Sequence, residues 1–74
     1  MEDVWNYKDM ILNIVKQKYP SNYIFKCAKA VTTNILIILI EKIEGIPIKS
    51  ERFTLKQIHT ILRKDKLERI LKNI

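Results

Sequence analysis

Ile35-Leu36-Ile37-Ile38-Leu39-Ile40 decides the fold of this 74-residue chain, because six consecutive aliphatic residues suit either a buried strand or the middle of an apolar helix. Taken alone, the run passes for a strand. Its surroundings favour the helix. Ile24, Cys27, Ala28, Val31, Ile35, Ile38 and Leu39 keep one helical face, Lys26 to Ala30 are good helix formers, and Gly45 supplies a C-terminal cap. Length therefore selects one helix from about Asn22 to Glu44. Its second half is apolar all round, so it needs cover on several sides. Two short flanking helices cannot provide that.

Upstream, Val4, Tyr7, Ile11, Ile14 and Val15 recur at helical spacing and predict a first helix from about Asp3 to Lys18. Pro20 ends it by disfavouring helical backbone at Tyr19, and Ser21 or Asn22 can cap the next element. Downstream lies a basic loop, Ile46 to Phe53. Thr54-Leu55-Lys56-Gln57 then fits a capping box, flanked by Phe53 and Ile58 at the positions of a hydrophobic staple. Leu55, Ile58, Ile61 and Leu62 share one face of this third helix. Leu67, Ile70, Leu71 and Ile74 share another, about 160° away on a continuous helix. A turn near Arg63-Lys64-Asp65 resolves the conflict, with Asp65-x-x-Glu68 capping a fourth short helix. The expected architecture is one all-α domain spanning residues 1–74, with helices in short–long–short order.

Composition bounds what such a domain can be. Cys27 is the only cysteine, so no intrachain disulfide forms, and no Cys/His cluster is available for a metal. A chain this short is marginal without staples, yet it is 47% hydrophobic, which points to association. Met1-Glu2-Asp3 is acidic where a signal peptide is basic, and a six-residue apolar run falls far short of the roughly 20 residues that span a bilayer. A soluble intracellular protein is expected. Net charge is +6 and uneven: residues 1–45 carry six basic and five acidic side chains, residues 46–74 eight and three. The basic half suits a polyanion, nucleic acid first among them. A lysine-rich solvated surface is the plain alternative.

Tyr23-Ile24-Phe25-Lys26-Cys27-Ala28-Lys29-Ala30-Val31 and Arg52-Phe53-Thr54-Leu55-Lys56-Gln57-Ile58-His59-Thr60-Ile61-Leu62 carry a family resemblance. The first looks like the start of the long central helix of the histone-fold superfamily, the second like its second loop and third helix. Asp65 to Ile74 is similar to the extra C-terminal helix of its small non-nucleosomal members, such as centromere protein X and histone-like transcription subunits. Gln57 stands near a position where many members have Asp, Pro47 comes closely behind the central helix, and there is no basic tail.

The resemblance implies a histone fold and an obligate handshake dimer with a second histone-fold chain, identical or different. Ile35, Ile38, Leu39, Ile58, Ile61 and Leu62 would form the dimer interface. DNA phosphates would meet Lys18, Ser21, Asn22 and Lys26 around the first loop, and Lys49, Ser50, Arg52 and Thr54 around the second. Binding would be salt-sensitive and largely blind to sequence. No cofactor, metal or small-molecule substrate is implied, and a eukaryotic member would sit in chromatin.

Two other readings use the same residues. Leu55–Leu62 and Lys66–Ile74 would make a helix-turn-helix DNA-binding regulator, with Lys66, Arg69 and Lys72 facing a major groove. Arg52 and His59 are similar in spacing to the Arg-x(4–6)-His motif of HEPN ribonucleases, where His59 would move protons and Arg52 steady a phosphate. The usual turn glycine is missing from the first, and the polar residue expected after the arginine is Phe53 in the second. Trp5 and Cys27 read as packed residues, and Glu41 and Glu44 as solvated acids. The expectation is a non-enzymatic DNA-binding subunit.

Overall fold

The computed structural model describes residues 2–72; Ile74, a member of the second apolar helical set, lies outside them. A short 3-10 turn at Val4–Tyr7 leads into helix α1 (Lys8–Lys16). Three strands come next, β1 (Tyr23–Ala30), β2 (Ile35–Lys42) and β3 (Pro47–Phe53), and helix α2 (Leu55–Lys72) closes the described chain. The strands form one antiparallel sheet in the order β1-β2-β3. This α/β arrangement overturns the all-α histone fold. The long central helix does not exist: residues 23–42 are a hairpin.

The physical reason lies in the turn. Val31-Thr32-Thr33-Asn34 reverses the chain, and Asn34 takes a left-handed backbone, φ 53°. Asparagine tolerates that region far better than β-branched residues do. Its side chain adds two bonds: Oδ1 accepts from the Val4 N–H at 3.1 Å, and Nδ2 donates to the Glu2 carbonyl at 2.9 Å. Gly45, φ 84°, serves the second hairpin rather than a helix end, with its N–H donating to the Lys42 carbonyl at 2.8 Å. The aliphatic run is unbroken because β2 is the central strand, whose two faces both carry apolar side chains.

Those two faces differ. Leu36, Ile38 and Ile40 point to the helices and are fully buried with Val4, Ile11, Val15 and Ile58. Each such side chain contributes about 1.5–3 kcal/mol of burial energy. Ile35, Ile37 and Leu39 point to the other face, which no element among the described residues covers. Ile35 and Ile37 are half-buried by their strand neighbours, and Leu39 is exposed, as are Ile24 and Ile48.

The handshake interface dissolves accordingly. Ile38 and Ile58 are interior residues of a single chain, Ile61 and Leu62 pack against that same core, and only Ile35 and Leu39 keep an uncovered face. The expected turn at Arg63-Lys64-Asp65 is also absent, since α2 runs unbroken from Leu55 to Lys72. Asp65 instead pairs with Arg69 one turn on, at 3.1 Å. With no break, the second apolar set is left facing out: Leu67, Ile70 and Leu71 are 54%, 49% and 68% exposed. No helix among the described residues is long and apolar enough to cross a membrane.

Candidate nucleic-acid interface

The capping box sets the geometry of the basic surface. The Thr54 hydroxyl accepts from the Gln57 N–H at 3.2 Å, and the Gln57 side-chain oxygen accepts from the Thr54 N–H at 2.9 Å. Both bonds fix where α2 begins and hence its rotation. Ile58 faces the core, fully buried. At about 100° per residue, Lys56 and Arg63 then lie roughly 140–160° away from it, and Lys64 roughly 120°. All three are exposed. Lys56 and Lys64 are separated by about 12 Å of helix rise, a span of two or three phosphates along a strand.

Arg52, at the end of β3, joins them. A shallow groove between the β3 edge and the first half of α2 is lined by Arg52, Phe53, Lys56, Gln57, Thr60 and Ile61. Phe53 and Ile61 give it an apolar floor; Arg52 and Lys56 give it cationic rims. Neither cation has a carboxylate within salt-bridge distance among the described residues.

The residues assigned to DNA from the sequence do not form one surface. Tyr23 pairs with Lys42 at one end of the sheet, whereas Phe53 pairs with Leu36 at the other. Lys18, Ser21 and Asn22 precede Tyr23, so they sit about 20 Å along the strands from Arg52 and Thr54. Lys26 lies on the uncovered face and bridges Glu41 at 3.0 Å. Lys49 lies on the covered face and bridges Glu51 at 3.4 Å. The Glu51 hydrogen bond, and then the Tyr19 phenol nearby, hold the Lys49 ammonium above lysine's ordinary pKa, so it stays charged and engaged. Ser50 is exposed on the uncovered face opposite Leu39. Only Arg52 and Thr54 are brought to the start of α2.

Lys56, Arg63 and Lys64 are absent from the sequence-based set. Thr54 and Ile58 carried the signal for them: once the cap fixes the helix start and Ile58 its inner face, the outward cations are set by spacing.

His59 is occupied elsewhere. Its Nε2 lies 3.0 Å from a Glu2 carboxylate oxygen, and its ring meets Tyr7 edge-on at 5.4 Å. It does not line the groove that holds Arg52. Burial pushes the Cys27 thiol above its ordinary value, which keeps it protonated. No group of three metal-ligating side chains occurs among the described residues. No family model, curated protein or solved structure matches the chain.

Proposed function

We propose that this chain is a non-enzymatic DNA-binding subunit that grips the phosphate backbone with the outer flank of α2 and the end of β3. Lys56, Arg63 and Lys64 are the principal contacts, and Arg52 adds a fourth from the strand. The observation that carries the reading is that these cations share one flank without a carboxylate partner among the described residues. Lys26, Lys29, Lys49 and Arg69 are neutralised by Glu41, Asp3, Glu51 and Asp65, and other cations without a carboxylate partner among the described residues, such as Lys16, Lys18 and Lys42, lie outside α2. A flexible cation without a partner is free to replace a condensed counterion, which is the main source of backbone affinity. Long, mobile lysine and arginine side chains position a duplex without reading base edges, so discrimination between sequences is weak. The ribonuclease reading draws no support from the placement of His59, which faces Glu2 and Tyr7 rather than Arg52.

The test is fluorescence anisotropy of a labelled DNA duplex across a salt series. Binding should weaken steeply with salt, with a logarithmic slope of about 0.9 per phosphate neutralised. The triple change Lys56→Glu, Arg63→Glu and Lys64→Glu should lower affinity by tenfold or more and flatten that slope. Lys18→Glu, at the far end of the sheet, should cost much less. Equal losses in the two variants would mean that total charge matters and this flank does not.

A further inference from the structure

The outer edge of β3 is open among the described residues, and its sequence is complementary to itself. There β3 pairs only with β2, which leaves one row of its backbone N–H and C=O groups unpaired. Natural proteins usually blunt such an edge with charge and proline, and Pro47, Lys49, Glu51 and Arg52 look like that device. Their order does something more. Ile48-Lys49-Ser50-Glu51-Arg52 places opposite charges symmetrically about Ser50.

We infer that β3 pairs antiparallel with β3 of a second copy of this chain, centred on Ser50, to give a continuous six-stranded sheet. In that register Ser50 faces the partner's Ser50, Lys49 faces the partner's Glu51, and Glu51 faces the partner's Lys49. Ile48 and Arg52 flank this segment, and the β-bulge of β3 falls at Ile48, which has no partner on β2. Lys49 and Glu51 already share the helix-covered face. Two-fold pairing therefore closes four charges into a ring of alternating sign, where each ion has two opposite neighbours. Within one chain Glu51 Oε1 takes Lys49 at 3.4 Å, while Oε2 is buried without a hydrogen-bond partner among the described residues, so the second contact requires the carboxylate to turn toward the strand edge.

The two adjacent registers fail on charge. Side chains must keep to their own face, so the two-fold axis falls on a residue. Moving it to Lys49 sets that lysine against its own copy, and moving it to Glu51 does the same for the glutamate. Like charges directly opposite one another destabilise a pair of strands. The β1 edge has no equivalent: its charges are Lys26 and Lys29, with no acid on the strand. The ladder ends at Pro47, which has no N–H to give and lies beyond the β-bulge that separates it from Lys49.

This junction is small, so the dimer should be concentration-dependent, with a dissociation constant of roughly micromolar order. Its central residues, Lys49, Ser50 and Glu51, are none of the proposed phosphate contacts, and light scattering without DNA tests it apart from DNA binding. Light scattering across a dilution series tests it on the wild-type chain and three variants. Wild type should pass from dimer to monomer on dilution. Lys49→Glu and Glu51→Lys should each weaken dimerisation by roughly tenfold or more, since each turns two attractive pairs repulsive. The combined charge swap should restore it, and that rescue distinguishes a broken interface from a broken fold. Ser50→Cys in a Cys27→Ala background gives a second reading. The symmetric thiols should join into a disulfide dimer under mild oxidation, whereas Lys18→Cys in the same background should not. A wild-type chain that stays monomeric throughout, a swap that fails to rescue, or equal cross-linking at both positions would overturn the inference.

Discussion

Strand β2 and helix α2 are built from the same two side chains, isoleucine and leucine, and bury them to very different degrees. In β2 every second residue faces the helices, and Leu36, Ile38 and Ile40 are fully buried together. In α2 the seven aliphatic residues from Leu55 to Leu71 fall into two phases, and only Ile58 is fully buried. The difference is one of layering. A central strand has a neighbour on each side and a helix layer on one face, so its alternation needs no further partner. A helix laid at the rim of a three-stranded sheet has cover for one stripe only. Identical chemistry therefore contributes stability in one element and exposed surface in the other.

Alanine at Ile38 should break the comparison most severely. It leaves a cavity in the shared core of sheet and helices and should cost about 2–5 kcal/mol. Urea denaturation followed by circular dichroism measures it, with the slope of the transition unchanged. A loss below about 1 kcal/mol would mean that β2 is not the centre of the core.

Asn34 comes next, because it holds the hairpin to the N-terminal segment. Asn34→Ala loses both bonds to Glu2 and Val4 and forces a left-handed backbone on a residue that resists it, for about 2–3 kcal/mol. Asn34→Gly keeps the backbone freedom and loses only the bonds, so it should cost less. Equal losses in the two would assign the whole effect to the bonds. Thr54→Ala removes one half of the capping box and should cost about 1 kcal/mol, a loss confined to the start of α2.

Acid should act on the same N-terminal segment. The Asp3 carboxylate is held below its ordinary value of 3.8, first by its hydrogen bond from Lys29 and then by the Trp5 N–H. A depressed native pKa means that the contribution is complete above the unfolded value. It disappears as pH falls below about 3.8, through the native value. Asp3→Asn should flatten the acid limb of the stability curve without moving stability at neutral pH by the cost of a core change. An unaltered acid limb would mean that other carboxylates set it.

How much of this is legible in the sequence depends on how local the deciding interaction is. The α1 pattern, the Pro20 break and the Thr54–Gln57 box are each settled within a few residues, and the structure forms a helix, a break and a reciprocal cap at those places. The hairpin at 23–42 is decided at a distance. Lys26 to Ala30 have helical propensity, and only pairing with β2 overrides it. A warning is present in Thr32-Thr33-Asn34, two β-branched residues and a tolerant left-handed one, which make a poor helix centre and a usable turn. The basic surface is legible as a charge excess but not as a place. Lys49 and Lys26 are drawn off by acids on the same strand and on the neighbouring one, and nothing short of the sheet register shows that.

The smallest effect is expected at Leu71, where the comparison is sharpest. Leu71 is 68% exposed and sits beyond the stripe of α2 that meets the core. Leu71→Ala removes little buried area and replaces a good helix former with the best one, so stability should move by less than about 0.5 kcal/mol. Ile38→Ala removes a similar number of methylene-sized groups and should cost several times more. The ratio between these two variants, measured in one denaturant series, separates burial from composition. If Leu71→Ala proves costly at high protein concentration and neutral on dilution, the distal half of α2 is covered by another molecule. If it proves costly at every concentration, α2 packs along its whole length onto its own chain, and the contrast between strand and helix collapses.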